Sequence, residues 1–410
     1  MSSVARRAKQ AVARLPGVSH VARNRAHARK ARAEPVAPPV CASVLEWAVE
    51  HPGTRYWRID APTRVVKEPP RTVEPEVHWK FLQATEIPVA EKYVVELEGA
   101  LLELPGPPHG GGPRHWAVVL RDGPRVILPD GRVATESTQG LVKNCLPYDA
   151  DAATFMVGDY FSLVSPHSWE GNYGHWIHDM LTSLYGVTEH LPPDTRYIVP
   201  RDLQPFHVDS LAMLGIGADR LVTFDVRDDQ ESPRSWKLER LWFSPGPIGP
   251  TPSPKALAWL RTAALDSLDA EPAPPHRLVY TSRRRTRYRR IVNEDEVSEY
   301  LVGRGFEVHV PEDYTLREQI TLFAEAKVVL GAHGAAHANT IFSRPGLVLV
   351  AIQNSDVDKF FHNMSLALGN EYCYMLGDDV PNGSDINDDI FVPLDKLERI
   401  TSLALSARRA

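Results

Sequence analysis

The chain has 410 residues, of which 43% are hydrophobic and 24% charged, the composition of an ordinary globular protein. No apolar run approaches the ~20 residues that a membrane-spanning helix needs, which argues against a transmembrane protein. Three widely spaced cysteines (Cys41, Cys145 and Cys373) form no CxxC pair, which argues against a zinc site and a disulfide framework and fits a reducing cytosol. This length predicts two domains.

The net charge of −6 hides an asymmetry between the N-terminus and the rest of the chain. Residues 1–33 carry nine basic side chains and no acidic one, so the remainder carries −15. The proline-rich stretch 34–40 then predicts a stiff linker, and residues 1–40 are a separate basic arm and linker. The simplest interpretation of the arm is a solvated tail. The alternative is attraction to an anionic membrane surface, and nucleic acid is not an expected partner.

In chain order, residues 41–268 predict an N-terminal domain that is β-rich up to about 150 and then alternates strand and helix signals. The stretch 269–276 (DAEPAPPH) predicts an interdomain linker. Residues 277–390 alternate strand and helix so regularly that they predict a parallel sheet with helices on both faces. Residues 391–410 predict a C-terminal helix.

The first candidate site lies in NYGHWIHDMLTSLYGV, residues 172–187. His175 and Asp179 are four residues apart and would share one face of a helix, with His178 displaced from them. An imidazole and a carboxylate on one face can act as a base and its orienting partner. The alternative is that both satisfy local backbone groups near the start of the helix.

The second candidate site is an arginine run, with six arginines at 283–290 after a predicted strand. Such a run is often a solvated surface, but ligands of open α/β sheets bind at the carboxyl ends of strands, where arginines can grip phosphate. Asn293 and Glu294 begin the next predicted helix, and helix capping is their simplest role.

The third candidate site is the turn GAHGAA, residues 331–336, between a buried strand at 328–330 and a predicted helix at 335–342. Its small residues leave backbone amides accessible, and a helix starting there favours an anion such as phosphate. The turn lacks the GxGxxG spacing and the GK[ST] of nucleotide-binding loops. His333 and His337 are four residues apart, but without nearby Cys or acidic residues a metal site is disfavoured.

Together these three blocks resemble glycosyltransferase family 61, over residues 155–375. The family pattern has an N-aromatic-x-H-x-x-x-D block, an SR…R…NE block and an HGAGLTN block with a later F and PG turn. The chain departs from it with Ala336, His337 and Ala338 in the third block, and with Ala351 where an acid often follows. The matching residues are Asn172, Tyr173, His175, Asp179, Ser282, Arg283, Arg290, Asn293, Glu294, His333, Gly334, Ala335, Asn339, Phe342, Pro345 and Gly346.

The resemblance implies an α/β, GT-B-like fold, with two Rossmann-like domains facing a cleft and a β-rich N-terminal region. It implies inverting transfer of a sugar from a nucleotide sugar, commonly a UDP-sugar, to a saccharide or other hydroxyl acceptor. The residues then take four sets of roles. Asp179 and His175 are the catalytic pair, either of them the base; Arg283, Arg290, His333, Gly334, Ala335 and Ala336 hold the donor diphosphate; Asn293, Glu294 and Asn339 contact the donor nucleotide or sugar; and Asn172, Tyr173 and His178 lie on the acceptor side.

Since cationic groups can replace a divalent ion at a diphosphate, we expect no metal and no cofactor. The bacterial capsular type of the family predicts a cytoplasmic enzyme of surface or capsular polysaccharide synthesis, with a location at the inner face of the plasma membrane if the basic arm binds lipid. Two other functions remain open. The HxxxD pattern also occurs in acyltransferases, and the nine tryptophans would suit a non-catalytic saccharide-binding protein.

Overall fold

The computed structural model describes residues 40–41, 43–103, 125–129, 132–134, 151, 153–164, 171–200, 202–223, 235–246, 253–382 and 387–406. The predicted basic arm, including the stretch proposed to contact a membrane, lies outside these residues, as does Cys145. Cys41 and Cys373 are both buried. Within the described ranges, no helix combines the length and the apolarity needed to cross a bilayer.

A mixed sheet of parallel and antiparallel strands forms the N-terminal half. The strands of this half of the chain are β1 (Val40–Cys41), β2 (Tyr56–Asp60), β3 (Thr63–Val66), β4 (Arg71–Thr72), β5 (Glu86–Val89), β6 (Lys92–Glu98), β7 (Leu101–Glu103), β8 (Arg125–Ile127), β9 (Val133–Ala134), β10 (Thr154–Ser162), β11 (Arg196–Val199), β12 (Leu221–Thr223) and β13 (Ser235–Phe243). The strand order in this sheet is β1-β9-β8-β7-β13-β10-β11-β12, and β6 pairs with both β13 and β2. The run β13-β10-β11-β12 is parallel, as the strand and helix signals predicted, whereas β6 and β7 run antiparallel to β13.

The second sheet confirms the parallel α/β prediction for the C-terminal half. The strands of this half are β14 (Arg277–Thr281), β15 (Glu307–His309), β16 (Ala326–Ala332), β17 (Val348–Gln353), β18 (Glu371–Leu376), β19 (Asp378–Val380) and β20 (Asp389–Phe391). The strand order in the second sheet is β15-β14-β16-β17-β18-β4, and every pair in it is parallel. β19 and β20 form a separate antiparallel pair.

Helix ends follow local sequence signals. Thr315 accepts from the Glu318 amide and the Glu318 carboxylate accepts from the Thr315 amide, a reciprocal cap that starts one helix. Another helix ends at Gly369, in the left-handed conformation that glycine adopts without strain. The helices are α1 (Val44–Glu50), α2 (Tyr173–His175, continued by a π-helical stretch Trp176–Leu181), α3 (Pro205–Met213), α4 (Pro254–Asp266), α5 (Glu294–Val302), α6 (Leu316–Ala324), α7 (Phe360–Leu368) and α8 (Leu394–Ser406), with 3-10 helices at Trp79–Leu82, Ala218–Arg220, Pro311–Asp313 and Ala335–Phe342.

The apolar core continues from one sheet to the other. One buried cluster contains Phe161 and Tyr197 of the first sheet together with Val329 and Leu349 of the second. A separate cluster covers the opposite face of the second sheet, where α5 and α8 pack, so this sheet has helices on both faces as predicted. The two sheets are therefore joined by packed side chains around α2, α4, α6 and α7.

The predicted domain boundaries do not separate the strands cleanly. β4 lies within the predicted N-terminal domain, yet Arg71 and Thr72 pair with β18 at the edge of the second sheet. The segment 269–276 is irregular and connects α4 to β14, as expected of a linker. The described structure is a mixed α/β fold with parallel strands in both sheets, and a GT-B arrangement with a cleft stays a prediction.

Candidate active site

The arginine loop and the small-residue turn follow neighbouring strands of the second sheet. β14 lies between β15 and β16. The connection that follows β14 leads to one side of it, to β15, and the later strand β16 pairs on its other side, so the strand order switches direction between β14 and β16. In open α/β sheets this switch point is where ligands bind, at the carboxyl ends of the strands. Residues 282–290 leave β14, and residues 333–336 leave β16, at this edge. Both segments therefore begin at the same edge of the second sheet.

Arg283 lies directly against the turn. A Cβ added at Gly334 would fall 2.6 Å from Cζ of Arg283, so glycine leaves the space that the guanidinium occupies. Arg283 donates to the carbonyl oxygens of Tyr288 (3.0 Å) and Arg289 (3.2 Å), which hold it in place. The turn and the first arginine of the run therefore form one surface.

Arg289 is the second arginine of the run that belongs to the site. It lines a cavity together with His175 and His333. Its φ of 53° is the one left-handed non-glycine conformation in the described residues. Burial, then the nearby Arg289, lowers the pKa of Arg283 to about 10, and burial also lowers the pKa of Arg289. Among the described residues, neither side chain forms an ion pair with a carboxylate.

The other arginines of the run point elsewhere. Arg290, predicted to hold the diphosphate, is half exposed and pairs with Asp389 at 2.8 Å. Arg285 pairs with Asp313 and Arg287 lies over the ring of Tyr288. Arg284 donates to Ser282. The structure thus brings Arg289, rather than Arg290, to the cavity.

His333 and His337 are both buried beside this cationic surface. Nε2 of His333 lies 3.6 Å from Oδ2 of Asp358, and its ring packs against Phe361. His337 meets the same phenyl ring edge-on, and no hydrogen bond to either of its ring nitrogens is found among the described residues. Burial lowers the pKa of both imidazoles, that of His337 well below its ordinary value, so both favour the neutral form.

Helix α2 carries the predicted catalytic pair. Asn172 caps the helix by accepting from the His175 amide (3.3 Å), and Nδ1 of His175 donates to Oδ2 of Asp179 at 2.7 Å. Nδ1 of His178 lies 2.6 Å from Oδ1 of the same carboxylate. The prediction that His178 is displaced is wrong, because the π-helical stretch changes the residue spacing and brings both imidazoles to Asp179.

The carboxylate of Asp179 is buried, and its environment favours the charged form. Burial alone would raise its pKa, but the two imidazoles outweigh burial and hold the pKa well below its ordinary value. His178 packs against Phe360 and burial lowers its pKa. His175, by contrast, lines the cavity with 31% of its side chain exposed.

These three side chains are the one group of three potential metal ligands among the described residues. Nδ1 of His175, however, is hydrogen-bonded to the carboxylate and Nδ1 of His178 lies 2.6 Å from its other oxygen, so both carboxylate oxygens already face an imidazole nitrogen without an ion. The arrangement resembles an oriented acid–base pair more than a metal centre.

Tyr173 and Asn339 join α2 to the second half. The Tyr173 hydroxyl donates to Oδ1 of Asn339, and the Asn339 amide donates to Oε1 of Gln319 at 2.8 Å. Asn293 exchanges hydrogen bonds with the backbone of Val392. These polar groups hold elements together, so a direct contact of Asn339 or Asn293 with the donor stays a prediction.

Glu294 is buried and accepts from the Tyr280 hydroxyl at 3.1 Å. This bond joins the first turn of α5 to β14. Glu294 thus has a structural partner inside the second domain, and its predicted contact with the donor is likewise not tested by the structure.

Two cavities flank the turn. The first, about 490 Å³, lies between α2 and the carboxyl ends of β16 and β17; we call it the reaction cavity. The second, about 370 Å³, touches Ala335 and Ala336; we call it the aromatic cavity. The reaction cavity is lined by Lys80, Gln83, Asn172, His175, Arg289, His333, Gln353, Asn354, Asp356, Val357, Asp358, Lys359 and Asn387. The aromatic cavity is lined by Tyr173, Gln204, Pro205, Phe206, Asp209, Pro311, Glu312, Tyr314, Thr315, Leu316, Gln319, Ala335 and Ala336.

The segment that contains α2, the arginine loop and the turn matches one family model. Residues 173–350 match the model described as Glycosyltransferase 61. These residues are similar to glycosyltransferase 61 domains. The match spans under half of the 410 residues but includes all three predicted blocks except Asn172, which confirms the resemblance and favours a glycosyltransferase over an acyltransferase. A search of curated proteins finds no significant match.

Several residues that line the reaction cavity were not identified as site residues from the sequence. Asp358 and Lys359 follow β17 after a stretch without a recognisable motif, and Lys80 comes from the N-terminal half. The signal that could have found Asp358 is its position just beyond the carboxyl end of a central parallel strand. Nothing local to Lys80 indicates that it reaches this cavity.

Proposed function

We propose that this glycosyltransferase moves a sugar, with inversion, from a nucleotide sugar to a hydroxyl group of a saccharide acceptor, with a UDP-sugar as the first candidate donor. The observation that carries the proposal is the pair Arg283 and Arg289 at the switch point of the sheet. Both residues are half-buried, and neither has a carboxylate ion pair among the described residues. Two neighbouring guanidinium groups without a paired carboxylate favour an anionic ligand, and a diphosphate can accept hydrogen bonds from both.

The strained backbone of Arg289 fits this role. A non-glycine residue at φ 53° costs about 1–3 kcal/mol and persists only where its surroundings require it. Here the conformation directs the guanidinium into the reaction cavity, while the carbonyl oxygen of the same residue holds Arg283. We therefore assign the diphosphate to Arg283, Arg289 and His333, with the amides of the turn at Gly334–Ala336 as further donors.

His175 is the better base of the catalytic pair. Asp179 is buried and held in its charged form by two imidazoles, so it is a weak proton acceptor. His175 faces the reaction cavity, and Asp179 fixes the orientation of its ring through Nδ1. As the acceptor oxygen bonds to the anomeric carbon, its proton would pass to Nε2 of His175, and the bond from that carbon to the diphosphate oxygen would break so that the nucleoside diphosphate leaves. The Asp179 carboxylate would stabilise the imidazolium that forms.

The aromatic cavity suits the nucleoside of the donor. It is reached past Ala335 and Ala336, and Tyr173, Phe206 and Tyr314 offer flat apolar surfaces for a base. Glu312 follows β15, the second strand of this α/β unit, which is the position from which an acid contacts ribose hydroxyls in dinucleotide-binding folds.

UDP binding measured by isothermal titration calorimetry tests the assignment. Arg289→Ala should weaken UDP binding about 10- to 150-fold, because a hydrogen bond to a charged group contributes about 1.5–3 kcal/mol. Arg287→Ala is the matched control, since Arg287 is an exposed neighbour over Tyr288. Unchanged UDP affinity in Arg289→Ala would refute the role of Arg289.

Slow release of UDP from UDP-sugars in the absence of acceptor separates the transferase from the two alternatives. A transferase with an activated donor site should hydrolyse the donor slowly, whereas an acyltransferase or a binding protein should not. Thermal-shift screening against a panel of nucleotide sugars would identify the donor, because a bound ligand stabilises the folded state in proportion to its occupancy.

We further propose that the product belongs to a surface or capsular polysaccharide, and that the enzyme works in the cytoplasm at the inner face of the plasma membrane. The support for the membrane contact is the nine basic residues of the arm. Deletion of residues 1–33 should move the protein out of the membrane fraction, and unchanged partitioning would count against the contact.

A further inference from the structure

The 3-10 helix Trp79–Leu82 presents three different faces at the edge of the reaction cavity. With three residues per turn, side chains at i and i+3 lie in one row. Lys80 and Gln83 form the row that lines the cavity. Phe81 points into the core and is 1% exposed. The third row is Trp79 and Leu82, which are 61% and 56% exposed.

This apolar row is held rigidly. The ring of Phe81 packs 4.7 Å from that of Tyr374, whose hydroxyl accepts from the His78 amide at 2.8 Å. On the cavity side, Lys80 pairs with Asp356 at 2.6 Å and Lys359 donates to Gln83 at 2.8 Å. The helix is thus fixed from two sides, so an exposed indole here loses little backbone freedom when it meets a ligand.

The size and surroundings of the row favour a sugar ring over other occupants. Two side chains are too small for a stable protein interface, which needs an area of about 800 Å² per partner. Exposed Glu76 lies three residues before Trp79 and disfavours an anionic lipid surface. A flat indole matches the apolar face of a pyranose, and the row adjoins the cavity where the acceptor hydroxyl would react.

We propose that Trp79 and Leu82 form an acceptor subsite, at which the indole stacks on a pyranose ring of the saccharide acceptor one or more residues away from the reacting hydroxyl. The subsite rests on the proposed function, since it takes the reaction cavity as the place of transfer. It selects acceptors longer than a monosaccharide. Lys80 and Gln83, on the next row of the same helix, would contact the sugar nearer the reaction.

The test uses the full-length protein labelled with 5-fluorotryptophan and observed by fluorine NMR in the presence of UDP. Trp79→Phe assigns the resonance of Trp79. The probes are di- to tetrasaccharides of glucan, galactan, mannan, xylan and chitin, and, in a separate arm, anionic phosphatidylglycerol vesicles. Trp79→Ala measures the energetic contribution. Phe155→Ala is the matched control, because Phe155 is also an exposed aromatic residue (57%) but lies near the start of β10, whose other end faces the site.

We expect at least one oligosaccharide to shift the Trp79 resonance, its Kd to rise about tenfold in Trp79→Ala, and its Kd to stay unchanged in Phe155→Ala. The subsite is refuted if no saccharide shifts the resonance, if Trp79→Ala binds the shifting saccharide as the wild type does, or if only the vesicles shift the resonance. A wild-type protein that does not bind UDP in the same titrations contradicts the proposed function itself, so the two failures are distinguishable.

Discussion

Replacing Gly334 by alanine should weaken donor binding without unfolding the protein. The added methyl group would lie 2.6 Å from Cζ of Arg283 and closer still to Nη1, whereas carbon contacts are comfortable only at about 3.5–4.0 Å. The φ of Gly334 is 175°, extended backbone that alanine adopts easily. The obstacle is the end of a flexible side chain, so the arginine should move and the fold should remain.

The magnitude follows from what Arg283 gives the donor. A hydrogen bond from a charged donor to a phosphate contributes about 1.5–3 kcal/mol, which corresponds to about a 10- to 150-fold change in Kd. Gly334→Ala should therefore raise the Kd for UDP by this factor. In urea unfolding, the same substitution should lower the free energy of unfolding by less than about 1 kcal/mol. Gly303→Ala is the matched control, because Gly303 has φ −61° and its added Cβ would approach nothing closer than 3.4 Å.

A double-mutant cycle decides whether the effect passes through Arg283. If the methyl group acts only by displacing the guanidinium, then Gly334→Ala should add nothing in an Arg283→Ala background, and the two single effects should fail to add. Calorimetry with UDP on the four proteins gives the coupling. Wild-type affinity in Gly334→Ala, or full additivity in the double variant, would show that Arg283 does not hold the diphosphate.

Four further outcomes are expected. Asp179→Asn should lower the transfer rate by about 10²–10⁴-fold and keep UDP binding, since the carboxylate orients His175; loss of UDP binding in this variant would move Asp179 to the donor site. EDTA should leave the transfer rate unchanged, and a loss restored by a divalent ion would contradict metal independence. Glu312→Ala should bind UDP and 2′-deoxy-UDP equally, whereas the wild type should prefer UDP; equal preference in both proteins would remove Glu312 from the ribose. Burial lowers the pKa of His207 from 6.5 to about 4. The contribution of the neutral imidazole to the free energy of unfolding, at most about 3 kcal/mol, is therefore complete above pH 6.5 and is lost as the pH falls towards 4. In urea titrations across this range, the free energy of unfolding of His207→Asn should depend less steeply on pH than that of the wild type, and identical slopes would refute the assignment.

Much of the second half could be predicted from the sequence because its signals are local. Apolar runs such as those at 328–330 and 347–352 identify buried parallel strands, and the cap at Thr315 marks the start of α6. The same locality placed His175 and Asp179 on one helix. The convergence of the arginine loop with the turn followed from a general rule about the carboxyl ends of parallel strands.

What the sequence could not reveal depends on backbone geometry and on long-range contacts. Choosing Arg289 over Arg290 requires knowledge of the left-handed backbone at Arg289 and of the residues that line the cavity, and periodicity indicates neither. The position of His178 depends on a π-helical stretch, whereas α-helical spacing predicts the opposite. Lys80 and β4 reach the second half from about 200 to 300 residues away, and no local pattern specifies such pairing.

The contact between α2 and the turn bears on how the two halves cooperate. A Cβ added at Gly174 would lie 3.4 Å from Cα of Ala335, so the backbone of the base-carrying helix already packs directly on the backbone of the proposed diphosphate turn. Tyr173 and Asn339 add a buried hydrogen bond across the same contact. The small residues at 174 and 335 thus serve helix packing as well as ligand access. Because this contact joins the two segments directly, the fold sets the spacing between His175 and the turn, and under the proposed roles we expect transfer to need no domain closure to bring the two together.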